Sequence, residues 1–394
     1  MDYILSPDFH QRKREQFRSV LEERNLDAAI IINPVNIGYF TGFWHKSTER
    51  PLALVLGTSG SDFAIVPELE LEHFKQKAGW LSDIDTFFDY PEGDWHWVGK
   101  QIRKHDLHAK RLGIDLANTI MKDPLEVYSA LRGAIDQELT NISPPIYRLR
   151  MIKEPEEIGI FRTASYFSRY LHEVAWNSLR PGIREYELHQ EISTAVIKKM
   201  MAEVPDLIDT NGYGHTLISG RTLFGAGSSL PHGPKGATPL EPNSLVMITY
   251  GTGVNNYLGE TERVGFFGSP SQEEIKAFSI MLEAQDAALE ALGPGIPCSE
   301  VQRVVDAVFA RHGVSSAMKH HTGHGKGLET HEHPYLDRGE STILEPGMVL
   351  SVEPGLYYSG RGGYRHSDTV LVTDDGVEIL TDFPRDLQSL TVPL

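Results

Sequence analysis

Between residues 230 and 367 the chain sets imidazoles and carboxylates in segments that could converge. His324 and His331 stand in His321-Thr-Gly-His324-Gly-Lys-Gly-Leu-Glu-Thr-His331-Glu-His333-Pro, and Glu353 closes Leu344-Glu-Pro-Gly-Met-Val-Leu-Ser-Val-Glu353-Pro-Gly. Upstream lie His232 in Leu230-Pro-His-Gly233, and Tyr257-Leu-Gly-Glu260-Thr-Glu262-Arg263. Groups of these types can do two kinds of chemistry. One imidazole with two carboxylates is a set adequate for one zinc, manganese or iron ion with open positions. Alternatively, the same groups move protons and hold charge without a metal, His232 serving as both acid and base near neutral pH.

Composition narrows the field. The 394 residues favour two domains. A formal charge of −17 excludes nonspecific nucleic-acid binding, which needs basic patches on phosphates. The acids are scattered as on a solvated surface, and a salt-adapted surface would give the same balance. No apolar run approaches the roughly 20 residues of a spanning helix, so no membrane partner is expected. The opening Met-Asp-Tyr-Ile-Leu-Ser-Pro lacks the basic start and apolar stretch of a secretory signal, which makes a cytoplasmic location the expectation. Cys298 is the single cysteine, excluding an internal disulfide and any multi-cysteine zinc site.

The elements that must position these residues follow from periodicity. Residues 8–25 read as an amphipathic helix. Strands are expected at 27–33, 52–57, 63–66 and 112–115, with Gly and Ser turn signals between. Strands alternating with helical segments through 145 suggest a separate α/β domain, residues 1–150. A second domain, 151–394, opens where Pro155, Glu156 and Glu157 favour a helix start. Further helices are expected at 185–202, 272–292 and 299–312, and strands at 245–250, 263–267, 349–353 and 369–372. Periodicity alone gives an α+β chain.

Nearly the whole chain resembles the pita-bread superfamily of methionine aminopeptidases, prolidases, aminopeptidase P and creatinase. Asn36-Ile-Gly-Tyr-Phe-Thr-Gly-Phe43 and Arg50-Pro51 are similar to the N-terminal domain of creatinase and prolidase; Met151-Ile-Lys153 with Glu156-Glu157 resembles the opening of their catalytic domain. The resemblance implies two αβ halves on one curved antiparallel sheet, preceded by a smaller α/β domain. It also implies a metal set of two Asp, one His and two Glu, at positions held here by Thr249, Glu260, His324, Glu353 and Ser367. Thr249 and Ser367 bring no anionic oxygen. Two divalent ions side by side need several anionic ligands to offset their repulsion, so a dinuclear site is not expected.

By the same resemblance, His232, Glu262 and Glu353 match the creatinase residues that bind and activate substrate without metal. Arg50 lies where that enzyme lends an Arg to a substrate carboxylate across a homodimer, a two-point geometry that a guanidinium suits. Ser367 departs from creatinase, as does the absence of Arg near His333-Pro-Tyr335. Three functions compete. The first is a metal-independent, creatinase-like hydrolase of a C–N bond in a small zwitterionic or amide substrate. Its catalytic set would be His232, Glu262, Glu353, His324 and His331, with Arg50, Arg263, Tyr257, His366 and Arg365 on the substrate. The second is a mononuclear Xaa-Pro dipeptidase or aminopeptidase P-like peptidase, whose one zinc, manganese or iron ion the resemblance assigns to Glu260, His324 and Glu353, with His366 or Tyr250 joining if the strand register differs. The third is a non-catalytic pita-bread binding module.

Other features read as ordinary structure. Seventeen histidines make isolated ones uninformative, and His10, His45, His73 and His215 are expected as surface or core residues. His320 and His321 flank the site, and Tyr357 and Tyr358 form its wall. Gly323, Gly325 and Gly327 lack the strand–turn–helix setting of a phosphate loop.

Overall fold

The computed structural model describes residues 3–89, 94–105, 107, 110–116, 123–205, 207 and 217–394; His215 lies outside these. The chain divides into two compact units, one of Leu5–Arg150 and one holding the described residues from Met151 onward together with Tyr3 and Ile4.

In the N-terminal unit the apolar runs become the strands Ala28–Ile31, Ala53–Gly57, Phe63–Pro67 and Leu112–Ile114, each buried along its length. They belong to a six-stranded mixed sheet completed by Ile84–Phe87 and Leu139–Asn141. Buried on both faces, they read as continuous apolar runs and not as alternation. Helix Pro7–Glu23 starts at Ser6, whose hydroxyl accepts from the Phe9 amide. Asn33 caps a further helix, Pro34–Thr41, which ends at Gly42 in the left-handed region. The sequence reading gave 36–43 no element. Its signals are the Asn33 cap, Pro34 in the first turn and Gly42 at the end.

The second unit, the one the resemblance expects to be catalytic, is built around a long hairpin, Ser244–Val254 and Tyr257–Phe267, turning at Asn255 and Asn256 with positive φ. Sequence reading found only part of each strand because Gly251, Gly253 and Gly259 dilute the apolar pattern. Gly259 is required by packing: a Cβ there would lie 2.5 Å from the Ser165 amide nitrogen of helix Pro155–Asn177. Ile218–Phe224 pairs antiparallel with the first hairpin strand. A second antiparallel sheet runs in the order Glu332–Leu336, Gly323–Gly325, Val349–Val352, Asp368–Val372 and Val377–Ile379.

The sheets meet where Glu262 and Ser367 exchange two backbone hydrogen bonds of 3.0 Å. Helices Pro155–Asn177 and Glu185–Glu203 pack on the first sheet, while Gln272–Ala291 and Cys298–Arg311 pack on the second. This is the expected pair of αβ halves. The start at Pro155 is as anticipated, with the Glu157 carboxylate accepting from the Glu154 amide at 2.8 Å. Among the described residues no helix is long and apolar enough to cross a membrane.

Candidate functional site

Strand alternation decides which side chains reach the interior of the catalytic unit. On the hairpin, Leu258, Glu260 and Glu262 point to one face, and their cross-strand neighbours Thr249 and Gly251 share it with Arg221 and Ser219. These residues line a cavity of about 160 Å³, together with His232, His320, His321, His324, His331, Glu353 and Arg365. The described residues that line it all belong to the unit that starts at Met151.

One side of it is an imidazole–carboxylate pair. His324 sits on the short strand Gly323–Gly325, threaded between two others. A Cβ on Gly323 would fall 2.0 Å from the Ser351 carbonyl oxygen, so the strand passes only with glycine there. Nδ1 of His324 lies 2.9 Å from the Gly325 carbonyl, which can only accept, so Nδ1 carries the proton. Nε2 then presents its lone pair to Glu353 Oε1 at 3.2 Å. Two lone pairs facing one another need a cation between them, either a proton or a metal ion. Burial alone would raise the Glu353 carboxyl. The His324 hydrogen bond, with the charges of His324, Arg365 and His320, instead holds it well below the usual carboxylate range. His331 stacks obliquely against His324, ring centres 4.2 Å apart. Burial, then His324 and Lys326, lower it to about 4, so it is neutral at neutral pH.

The opposite side is organised by Lys326, a residue the sequence reading passed over. Its side chain is fully buried, and Nζ donates to Glu260 Oε2 at 2.8 Å. Ser367 donates to the other oxygen, Oε1, at 3.1 Å. Burial, and Glu353 beside it, would raise Glu260, but the charge and hydrogen bond of Lys326 together with His324 leave the carboxyl lowered. Thr249 turns its hydroxyl onto the Arg221 carbonyl at 3.3 Å. Ligand atoms of Glu260, His324 and Glu353 nonetheless lie within 4.8 Å of one another. This donor set, with Nε2 of His324 turned towards Glu353, fits one divalent ion. It does not fit two, since Thr249 and Ser367 bring only neutral oxygens.

The third wall is a chain of hydrogen bonds. Arg365 donates from Nε and Nη2 to the two oxygens of Glu262, the latter at 2.8 Å, and from Nη1 to the Tyr357 hydroxyl at 2.9 Å. Tyr357 in turn lies 2.9 Å from His320 Nε2. Burial, aided by Glu353 and Glu260 and opposed by Arg365, pushes Glu262 up to about 7. His232 occupies an exposed turn at the rim, and burial followed by Arg221 and Arg365 lowers it.

The site therefore gathers His232, Glu262, Glu353, His324, His331, Arg365 and Glu260, but three expected substrate residues point elsewhere. All five N–H groups of Arg263 are consumed, on the carbonyls of Pro384, Glu262, Ser367 and Phe383 and on Asp368 Oδ1 at 2.7 Å. Tyr257 donates to Glu157 Oε1 at 2.7 Å and is fully buried. His366 is buried against Phe278, with Nε2 3.3 Å from the Val264 carbonyl, while its neighbour Ser367 faces Glu260. Each of the three is one residue out of phase with the pocket face. Glu262 and Arg365, expected as separate substrate contacts, satisfy each other. Tyr250 bonds its hydroxyl to His189 Nδ1 at 2.8 Å, so it supplies no ligand to the Glu260 cluster. Arg50 belongs to the N-terminal unit, where it pairs with the adjacent Glu49.

Besides Lys326, the reading missed Arg221, which reaches the cavity and donates to the Gly233 carbonyl at 3.2 Å. Lys326 did carry a signal. A lysine between two tightly packed glycines, one residue from a histidine of the site, must bury its charge and therefore needs an acid partner.

Residues 159–374 match Metallopeptidase family M24, and residues 13–152 match the Creatinase/Prolidase N-terminal domain. The chain is 30% identical over 383 residues to an Xaa-Pro dipeptidase of Lactobacillus helveticus, covering 96% of this chain and 99% of that one. An Xaa-Pro dipeptidase from Bacillus anthracis superposes with a TM-score of 0.82 at 26% identity, covering 97% of this chain and 100% of the other. A prolidase from Thermococcus sibiricus gives 0.85 at 26% identity, covering 98% and 100%.

Proposed function

The chain belongs to metallopeptidase family M24, hydrolases of C–N bonds, and on that premise we propose that it is a dipeptidase cleaving before proline with a single divalent ion. These relatives favour the peptidase over the creatinase-like reading, and so does Glu262, whose expected substrate role is taken up by Arg365. The observation that carries the proposal is Nε2 of His324 facing Glu353 at 3.2 Å, with Glu260 completing a set whose ligand atoms lie within 4.8 Å of one another.

Hydrolysis of a peptide bond needs an activated water, a polarised carbonyl and a proton for the leaving nitrogen. Glu260, His324 and Glu353 would hold the ion, which supplies the Lewis acidity for the first two. The remaining work falls to the protein. His331, neutral at neutral pH, donates a hydrogen bond to the oxyanion that develops on the carbonyl. His232 at the rim carries the proton to the departing nitrogen, which in an Xaa-Pro bond has no hydrogen of its own. Arg221 offers its guanidinium to the substrate's terminal carboxylate. Arg365 holds Glu262 and Tyr357 in place along the wall.

The test is metal content of the chelator-free protein by elemental mass spectrometry, alongside hydrolysis of Xaa-Pro dipeptides. The expected result is near one equivalent, lost in Glu260→Ala together with activity. Metal-independent turnover of a small guanidino or amide substrate would overturn the proposal in favour of the creatinase-like route. Neither metal nor turnover would leave a binding module.

A homodimer in which Arg50 serves the neighbouring subunit's substrate is part of the same proposal. Arg50→Ala and His232→Ala, each deficient by orders of magnitude, should recover activity when mixed subunits reassemble. No recovery from folded, reassembled mixtures counts against the shared site.

A further inference from the structure

We propose that Lys326 is a built-in counter-cation of the metal pocket: its ammonium does for Glu260 what a second metal ion would do, limiting the site to one divalent ion. The inference rests on the single-ion reading of the site and on no particular substrate.

The first observation is geometric. Lys326 is fully buried with Nζ 2.8 Å from Glu260 Oε2, and Ser367 donates to Oε1 at 3.1 Å. Both oxygens of this carboxylate are thus engaged by the protein itself. A second ion beside Glu260 would have to displace a fully buried ammonium.

The second is charge. Glu260, Glu262 and Glu353 are nearly buried acids around one cavity, and Lys326 and Arg365 are nearly buried bases among them. Arg221 also lines the cavity, so three bases stand against three acids. Each divalent ion therefore adds two positive charges with no spare acid to offset them, and a pair side by side in a poorly solvated space is strongly disfavoured.

The third is the segment around the lysine. A Cβ on Gly325 would meet the His333 carbonyl oxygen at 2.4 Å, and one on Gly327 would meet Glu332 Oε2 at 2.2 Å. The backbone is packed closely on both sides of Lys326, so its long side chain is delivered to Glu260 from a fixed base. Burying an ammonium is costly without a partner, and here the partner is an acid of the site.

The experiment compares full-length wild type with Lys326→Met by equilibrium dialysis against Mn²⁺ and by thermal unfolding in chelator and in Mn²⁺. Wild type should saturate at one equivalent. Metal-free Lys326→Met should melt about 5 °C or more below wild type, because Glu260 loses its counter-charge. Mn²⁺ should raise its melting temperature more than that of wild type. If Lys326→Met does not fold, the double variant with Glu260→Gln removes both charges, and its folding to a metal-free stability near wild type supports the proposal. Two equivalents in wild type would overturn it, as would a Lys326→Met protein with unchanged metal-free melting and unchanged response to Mn²⁺. No metal in wild type refutes the single-ion reading; the metal-free melting difference must then still appear, or the role of Lys326 falls too.

Discussion

Both units bury acids, and they do so in opposite ways. In the N-terminal unit Asp115 is fully buried and meets only dipoles: the amides of Ile32 at 2.7 Å and Asn33 at 3.2 Å, and Asn36 Nδ2 at 2.9 Å. Burial pushes it up to about 6 despite these donors. In the catalytic unit Glu353 and Glu260 meet an imidazole, a guanidinium and an ammonium, and both are lowered. Neutral donors tie a strand end to a helix start, whereas cations hold Glu353 and Glu260 ionised beside a cavity; Glu262, buried next to both, is pushed up to about 7 even against Arg365. What marks the site is two acids kept charged at the edge of open space, and burial alone does not mark it.

The sharpest way to break this contrast is Glu353→Gln. It keeps the shape and removes the charge facing His324, so turnover should fall by about 10²–10⁴-fold while the fold survives. Steady-state kinetics with a melting curve checks both, and near-normal turnover would place the chemistry elsewhere.

Asp115→Asn tests the other half. Because the folded carboxyl lies at about 6, above its ordinary 3.8, its contribution to stability is complete below pH 4 and lost as pH rises through 6. Wild type should lose about 3 kcal/mol more than the variant between pH 4 and 7. Denaturant unfolding at several pH values reads the difference, and parallel profiles would show that Asp115 is ionised throughout. The smallest effect belongs to Ser367→Ala, which deletes one hydrogen bond to Glu260. A cost of about 1 kcal/mol is expected, which limits the change in Mn²⁺ affinity to about fivefold. A larger loss would make Ser367 a ligand in its own right.

Much of this was legible in the chain. The apolar runs at 28–31, 53–57 and 63–67 announce buried strands, and Pro155 with Glu157 announces a helix start. His324, His331 and Glu353 stand out because their types and motifs agree with one chemistry. Arg263, Tyr257 and His366 were drawn in by nearness in sequence to true site residues. On a strand the next residue points the opposite way, so that nearness places them on the helix-packed face. Lys326 was overlooked because a lysine among glycines reads as an exposed turn until the neighbouring strands are known to enclose it.

The sequence by itself determined the elements, the family resemblance and the loss of anionic oxygen at Thr249 and Ser367, since these follow from residue type and local order. Only the tertiary structure decided which cation each acid meets. Arg365 claims Glu262, Lys326 claims Glu260 and His324 faces Glu353, and each pairing joins residues tens of positions apart. Electrostatic energy depends on separation in space and on burial, and neither is written in the order of residues along the chain.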